Sequence, residues 1–123
     1  MKKISDAELE VMKILWERGV VTSPEIIEIL SQKNAWEKTT IKTLLSRLVK
    51  KECVKQKKQK GQLDQYSPII TENEYKKSEN ENFITKLYQG SVKNMLLNFV
   101  EEKQISKADL EKLLEMIEQK DKQ

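Results

Sequence analysis

Apolar residues return along the first fifty positions at helical intervals. Leu9, Met12 and Trp16, supported by Val11 and Leu15, predict a first helix. Ser5-Asp-Ala-Glu8 ahead of it is a capping box: the Ser5 hydroxyl accepts the Glu8 amide while the Glu8 carboxylate reaches back to Ser5. Gly19 stops this helix. A second start follows at Thr22-Ser23-Pro24, with a hydroxyl cap and proline at the first helical position, and Ile26, Ile27 and Leu30 form its buried side. A third helix is predicted roughly from 37 to 51, with Ile41, Leu44, Leu45 and Leu48 on one apolar stripe.

The pattern changes at residue 53. Two polar runs, Cys53-Val-Lys-Gln-Lys-Lys-Gln-Lys60 and Gln62-Leu-Asp-Gln-Tyr-Ser-Pro68, flank Gly61, which permits a tight turn, and Pro68 closes the second run at an edge. They predict two short strands and a hairpin. Helical periodicity then resumes. Tyr75 is an early anchor, and Phe83, Ile84, Leu87 and Tyr88 form a stripe broken at Gly90-Ser91. Val92, Met95, Leu96, Phe99 and Val100 form another, and Ser106-Lys-Ala-Asp109 caps a last helix carrying Leu110, Leu113, Leu114 and Ile117. The expected fold is mostly α with a small β-hairpin wing. A winged helix-turn-helix domain over 1–72 precedes a helical domain of three helices over 73–123.

The far side of the third helix gives the first hint of chemistry. Lys38, Thr39, Thr40, Lys42, Thr43, Ser46, Arg47 and Lys50 cover it with hydroxyls and cations, and the wing adds Lys55, Lys57, Lys58 and Lys60. A helix that rests on a core by one side and presents such a surface by the other suits the major groove of double-stranded DNA. A solvated surface helix would carry a similar face, but not the basic hairpin beside it. Thr40, Lys42, Thr43 and Ser46, toward the front half of the helix, are expected to meet base edges. Arg47, Lys50 and the four wing lysines are expected to meet phosphates.

Charge sharpens the division. Residues 1–70 hold 14 Lys and Arg against 9 Asp and Glu, whereas residues 71–123 hold 9 against 11, so the overall +3 comes wholly from the first part. A basic module joined to a mildly acidic one suits nucleic-acid binding coupled to a second task. Cys53 is the single cysteine and histidine is absent, which excludes an intramolecular disulfide, a zinc site of the usual ligands and a histidine pH switch. No cofactor or metal is expected. No Gly-rich phosphate loop and no nucleophile–base spacing is present, so an enzyme is not expected, and Cys53 has the character of a small apolar filler. No apolar run approaches a membrane span and no apolar leader follows Lys2-Lys3, which points to a soluble protein of the reducing cytoplasm without membrane insertion.

Phe83, Leu87, Met95, Leu96, Phe99, Leu110, Leu113 and Ile117 are too many apolar groups for three short helices to hide from water. A homodimer is the expected solution. The competing class is a protein-interaction module without specific DNA binding, which the lysine-rich surface around 38–60 argues against.

Four strings carry a wider resemblance: Ile4-Ser-Asp-Ala-Glu-Leu-Glu-Val-Met-Lys-Ile-Leu-Trp16, Thr40-Ile-Lys-Thr-Leu-Leu-Ser-Arg-Leu-Val-Lys-Lys51, Tyr66-Ser-Pro68, and Leu87-Tyr-Gln-Gly90 with Met95-Leu-Leu-Asn-Phe-Val100. In order and spacing, over nearly the whole chain, they resemble the BlaI/MecI family of penicillinase and methicillin-resistance repressors. The resemblance implies a homodimeric repressor of inverted-repeat operators with TACA/TGTA-like cores, in a β-lactam-resistance system or at another operon. It also implies a cognate membrane sensor protease whose signal leads to cleavage of the repressor, with Asn98-Phe99 matching the family's scissile bond. The chain departs from the family in three places. The usual Ser-Pro-Lys-Thr opening of the recognition helix is Glu37-Lys38-Thr39-Thr40, the Gly after the Lys-Lys pair is Glu52, and the wing has Gly61-Gln62 in place of Gly-Arg. It also lacks the C-terminal Cys-x-Cys pair of copper-responsive relatives, so metal sensing is not expected.

Overall fold

The first helix, α1 (Asp6–Arg18), starts where its sequence signal places it. The Ser5 hydroxyl accepts the Glu8 N–H, the Ser5 N–H donates to Glu8 Oε1, and Gly19 closes the far end at a φ of 83°. In this computed structural model, which describes residues 2–122, the chain then forms β1 (Val21–Thr22), α2 (Ser23–Asn34), α3 (Lys38–Lys50), β2 (Val54–Lys57), β3 (Gln65–Pro68), α4 (Glu72–Tyr88), α5 (Val92–Glu101) and α6 (Lys107–Asp121). It divides into two compact units, Met1–Lys77 and Ser78–Gln123, and the division falls inside α4.

In the first unit, α1, α2 and α3 pack around Val11, Met12, Leu15, Ile26, Leu30, Ile41, Leu45 and Leu48, all buried. Leu9 and Trp16, placed on the stripe of α1 by periodicity, are only half-buried, and Ile14 takes a buried position beside Leu15. The small sheet closes the core from the other side with Val21 and Val54, joined by Cys53 just ahead of β2. Its order is β1-β3-β2, antiparallel throughout. Pairing reveals β1, which periodicity does not: a two-residue strand has no alternation to detect, and Val21 and Thr22 become a strand by lying opposite Tyr66 and Gln65.

Two local expectations are corrected. Thr22 is the N-cap of α2, but its hydroxyl donates to the Glu25 carboxylate at 3.0 Å instead of capping the backbone, and Pro24 is the second helical residue, not the first. Pro68 ends a central strand, not an edge strand. Its missing N–H is tolerated because β1 covers only Gln65 and Tyr66, leaving Pro68 opposite Val54 alone.

The end of α3 explains the Glu52 position. The Glu52 N–H donates to Val49 O and the Cys53 N–H to Leu48 O, a Schellman closure that needs a left-handed residue, and Glu52 supplies it at a φ of 62°. Lys103 closes α5 in the same way at a φ of 58°.

In the second unit, α5 and α6 start at Ser91 and Ser106, each accepting a backbone N–H three residues on, and the Ser106–Asp109 capping box is complete. None of its described residues is buried. No helix among the described residues is long and apolar enough to cross a membrane.

Candidate nucleic-acid interface

The interface is built on the two-sidedness of α3. Ile41, Leu44, Leu45 and Leu48 fix one side in the core, so every intervening polar residue is forced outward. Lys38, Thr39, Thr40, Lys42, Thr43, Ser46, Arg47 and Lys50 are all exposed. Thr39, Thr40, Thr43 and Arg47 line a shallow depression with Leu44 beneath it. At the helix start Glu37 takes the N-cap position without a side-chain hydrogen bond to the backbone. Its carboxylate instead lies at the positive end of the helix dipole.

The wing follows from the strand period. Val54 is buried, Lys55 and Lys57 are exposed on the opposite face, and Gln56 occupies the second inner position. Alternation is weak in the sequence because that inner residue is polar. The structure shows why it is tolerated: Gln56 Nε2 donates to Asp64 Oδ2 at 2.9 Å across the hairpin. Lys58 and Lys60 are exposed in the turn, where the Gln62 N–H donates to Gln59 O and Gly61 adopts a φ of 76°. The wing borders α3: an open groove of about 730 Å³ is lined by Lys38 and Lys42 together with Gln62, Leu63 and the start of α2. Glu28 and Asp64 also line that groove, and the wing lysines lie outside it, exposed on the hairpin next to α3.

Sequence reasoning missed the brace behind α3. Glu8, named only as a capping residue, is 1% exposed and forms an ion pair with Lys51 just past α3. The Lys51 ammonium also donates to Lys3 O at 2.8 Å. Burial pushes the Glu8 carboxyl up, but hydrogen bonds from Lys51 and Ser5 and the Lys51 charge outweigh it and hold the group below its ordinary 4.5. No spacing rule could reveal a pair 43 residues apart. Cys53, beside it, is buried, and burial pushes its thiol up, away from the thiolate that reactive cysteines need.

The second unit holds the other candidates. Phe83, Leu87, Leu96, Leu110, Leu113 and Ile117 are exposed, and Met95 and Phe99 half-buried. Asn98 is half-buried and accepts the Tyr88 phenol hydrogen through Oδ1 at 3.0 Å, while Tyr88 meets Phe83 edge-on. The Asn98-Phe99 bond lies in the last turn of α5, where Asn98 O accepts the Glu102 N–H and Phe99 O the Gln104 N–H.

Three helices, a three-stranded sheet whose hairpin carries lysines, and an exposed cationic third helix define a winged-helix DNA-binding protein. More narrowly, the chain belongs to the Penicillinase repressor family, whose sequence profile matches residues 4–119, a family of transcriptional repressors and not of enzymes. It is similar to the Penicillinase repressor of Bacillus licheniformis, 38% identical over 122 residues, which span 97% of this chain and 94% of that one. It is similar also to the methicillin resistance regulatory protein MecI of Staphylococcus aureus (strain N315), 36% identical over 118 residues, covering 96% and 95% of the two chains. Among solved structures, the monomeric form of Bacillus licheniformis BlaI in complex with the blaP half-operator is 42% identical. It has a TM-score of 0.54 over 60% of this chain and 89% of that one.

Proposed function

We propose that this chain is a homodimeric repressor that reads inverted-repeat operators of a β-lactam-resistance system and is switched off by proteolysis at Asn98-Phe99. The switch follows a signal from a cognate membrane sensor protease. The observation that carries the DNA part is the outer face of α3, whose hydroxyls and cations are all exposed, with the exposed lysines of the wing on the adjoining hairpin. Membership of a repressor family, and the half-operator in a relative's structure, supply the biological setting. The dimer part rests on the uncovered apolar side chains of the second unit. Thr40, Lys42, Thr43 and Ser46 face base edges, with Lys38 and Thr39 at the groove entrance, while Arg47, Lys50, Lys55, Lys57, Lys58 and Lys60 hold phosphates.

Binding to a TACA/TGTA-type inverted repeat and to a scrambled duplex, measured across salt concentrations, tests this. Lys58→Ala is expected to weaken both alike and to lower the slope of log affinity against log salt by about one. A change in preference at a single base pair instead would overturn the assignment of Lys58 to the backbone.

The proposed cleavage has a structural gate. A protease needs an extended substrate, so the last turn of α5 must open before Asn98-Phe99 can be cut. Opening that turn also breaks the Tyr88–Asn98 hydrogen bond. Such a bond contributes about 1 kcal/mol, so Tyr88→Phe is expected to raise the open population, and the cleavage rate in cells carrying the sensor, about fivefold. The fragment pattern after β-lactam challenge reads the rate. Unchanged kinetics in Tyr88→Phe, or normal induction in a variant with Ala at both 98 and 99, would remove this site from the mechanism.

A further inference from the structure

We infer that Thr43 selects thymine through its methyl group and not through its hydroxyl. The inference rests on the DNA-binding function proposed above and deepens it to a single side chain. Thr43 Oγ1 donates to the backbone carbonyl of Thr39 at 2.9 Å. A hydroxyl has one hydrogen, so Thr43 has none left to give a base. With Oγ1 turned back along α3 to the carbonyl four residues earlier, the branch left on the outer side of Cβ is the methyl.

Its neighbours differ. Thr39, Thr40 and Ser46 are exposed, and their hydroxyls have no hydrogen-bond partner among the described residues. They can donate or accept at base edges; Thr43 presents hydrocarbon. It does so in the depression shared with Thr39, Thr40 and Arg47, beneath which Leu44 adds further apolar surface. In the major groove only thymine offers a hydrocarbon group, its C5-methyl. The O4 acceptor beside that methyl needs a donor, which a neighbouring free hydroxyl or Lys42 supplies and Thr43 does not. Cytosine presents a bare C5 and an amino donor at the same place, so it loses the apolar contact.

The test uses the full chain with threonine, valine or serine at position 43. Thr43→Val keeps the outward methyl and removes the hydroxyl; Thr43→Ser does the reverse. Each protein is titrated with the TACA/TGTA-type inverted repeat and with repeats in which one thymine per half-site is replaced by uracil, which lacks only the methyl. Circular-dichroism spectra of the three proteins, expected to coincide, confirm that α3 and the fold are intact. At one thymine position, uracil is expected to weaken wild-type binding about fourfold per half-site, the worth of one buried methyl. Thr43→Val should retain both the affinity and that ratio, and Thr43→Ser should bind the two duplexes alike. Equal losses in the valine and serine variants, or a serine variant that still distinguishes thymine from uracil, would overturn the inference. So would a flat uracil scan in the wild type. A wild type without preference for the repeat over scrambled DNA would sink the operator-binding function as well, whereas a retained preference with a flat scan would sink the methyl contact alone.

Discussion

A fragment ending at Lys77 is expected to bind the inverted repeat on the order of 100-fold more weakly than the full chain, with a smaller change on a single half-site. It keeps α3 and the wing, both within the first unit. What it loses is the second unit, which carries eleven of the fourteen exposed large hydrophobic residues among those described, Leu87, Leu97, Leu114 and Ile117 among them. Short helices that leave such stripes in water gain stability by burying them on a second copy. The second winged helix then searches for its half-site at a high effective concentration, and affinity rises without a new protein–DNA contact. Sedimentation and operator titration of both proteins check this together. Equal affinities for the inverted repeat, or a monomeric full-length chain at micromolar concentration, would refute the arrangement.

The second large effect is on stability. Lys51→Met is expected to destabilise the first unit by about 3 kcal/mol at neutral pH, because it leaves the Glu8 carboxylate buried without its cation. Glu8 Oε2 already lacks a hydrogen-bond partner, so Lys51 and the Ser5 N–H on Oε1 carry the compensation. The pH dependence gives a signature. In the wild type the Glu8 carboxyl is held below 4.5, so its contribution is fully present above the unfolded value and is lost as pH falls through the folded one. In the variant burial dominates and raises the folded value. Acidification toward 4.5 then protonates Glu8 and relieves the penalty, narrowing the gap between the proteins. Urea titrations at pH 7 and near pH 4.5 measure both, and Glu8→Gln in the Lys51→Met background should recover part of the loss. A gap under 1 kcal/mol at neutral pH, or one that widens on acidification, would show that the pair is not the brace described.

Elements with local causes were legible from the chain. Ser5 and Glu8 mark the start of α1, Ser106 and Asp109 that of α6, and the Ile41–Leu48 stripe separates the buried from the exposed side of α3; each signal lies within one or two helical turns. Features made by distant partners were not. β1 exists because Val21 and Thr22 meet β3, the inner position of the wing is a glutamine made tolerable by Asp64, and Glu8 finds its cation 43 residues later. Thr22 shows a subtler limit: a hydroxyl in the right place for a cap was taken by the carboxylate of Glu25. The twelve residues assigned to the DNA surface are all exposed, because facing away from an apolar stripe is a local property. The commitment of the Thr43 hydroxyl to the backbone emerged only from side-chain geometry.

The tryptophans give the chain a built-in optical record. Trp16 donates its indole N–H to Ile70 O at 3.0 Å and lies 5.5 Å from the Tyr75 ring, so its emission follows the clasp between the end of α1 and the beginning of α4. Trp36 is half-buried one residue before the N-cap of α3, its carbonyl accepting the Ser31 hydroxyl hydrogen. Its fluorescence follows the entrance to the recognition helix. With one indole replaced by phenylalanine, a single colourless protein becomes a dye-free probe either of DNA docking or of the α1–α4 clasp.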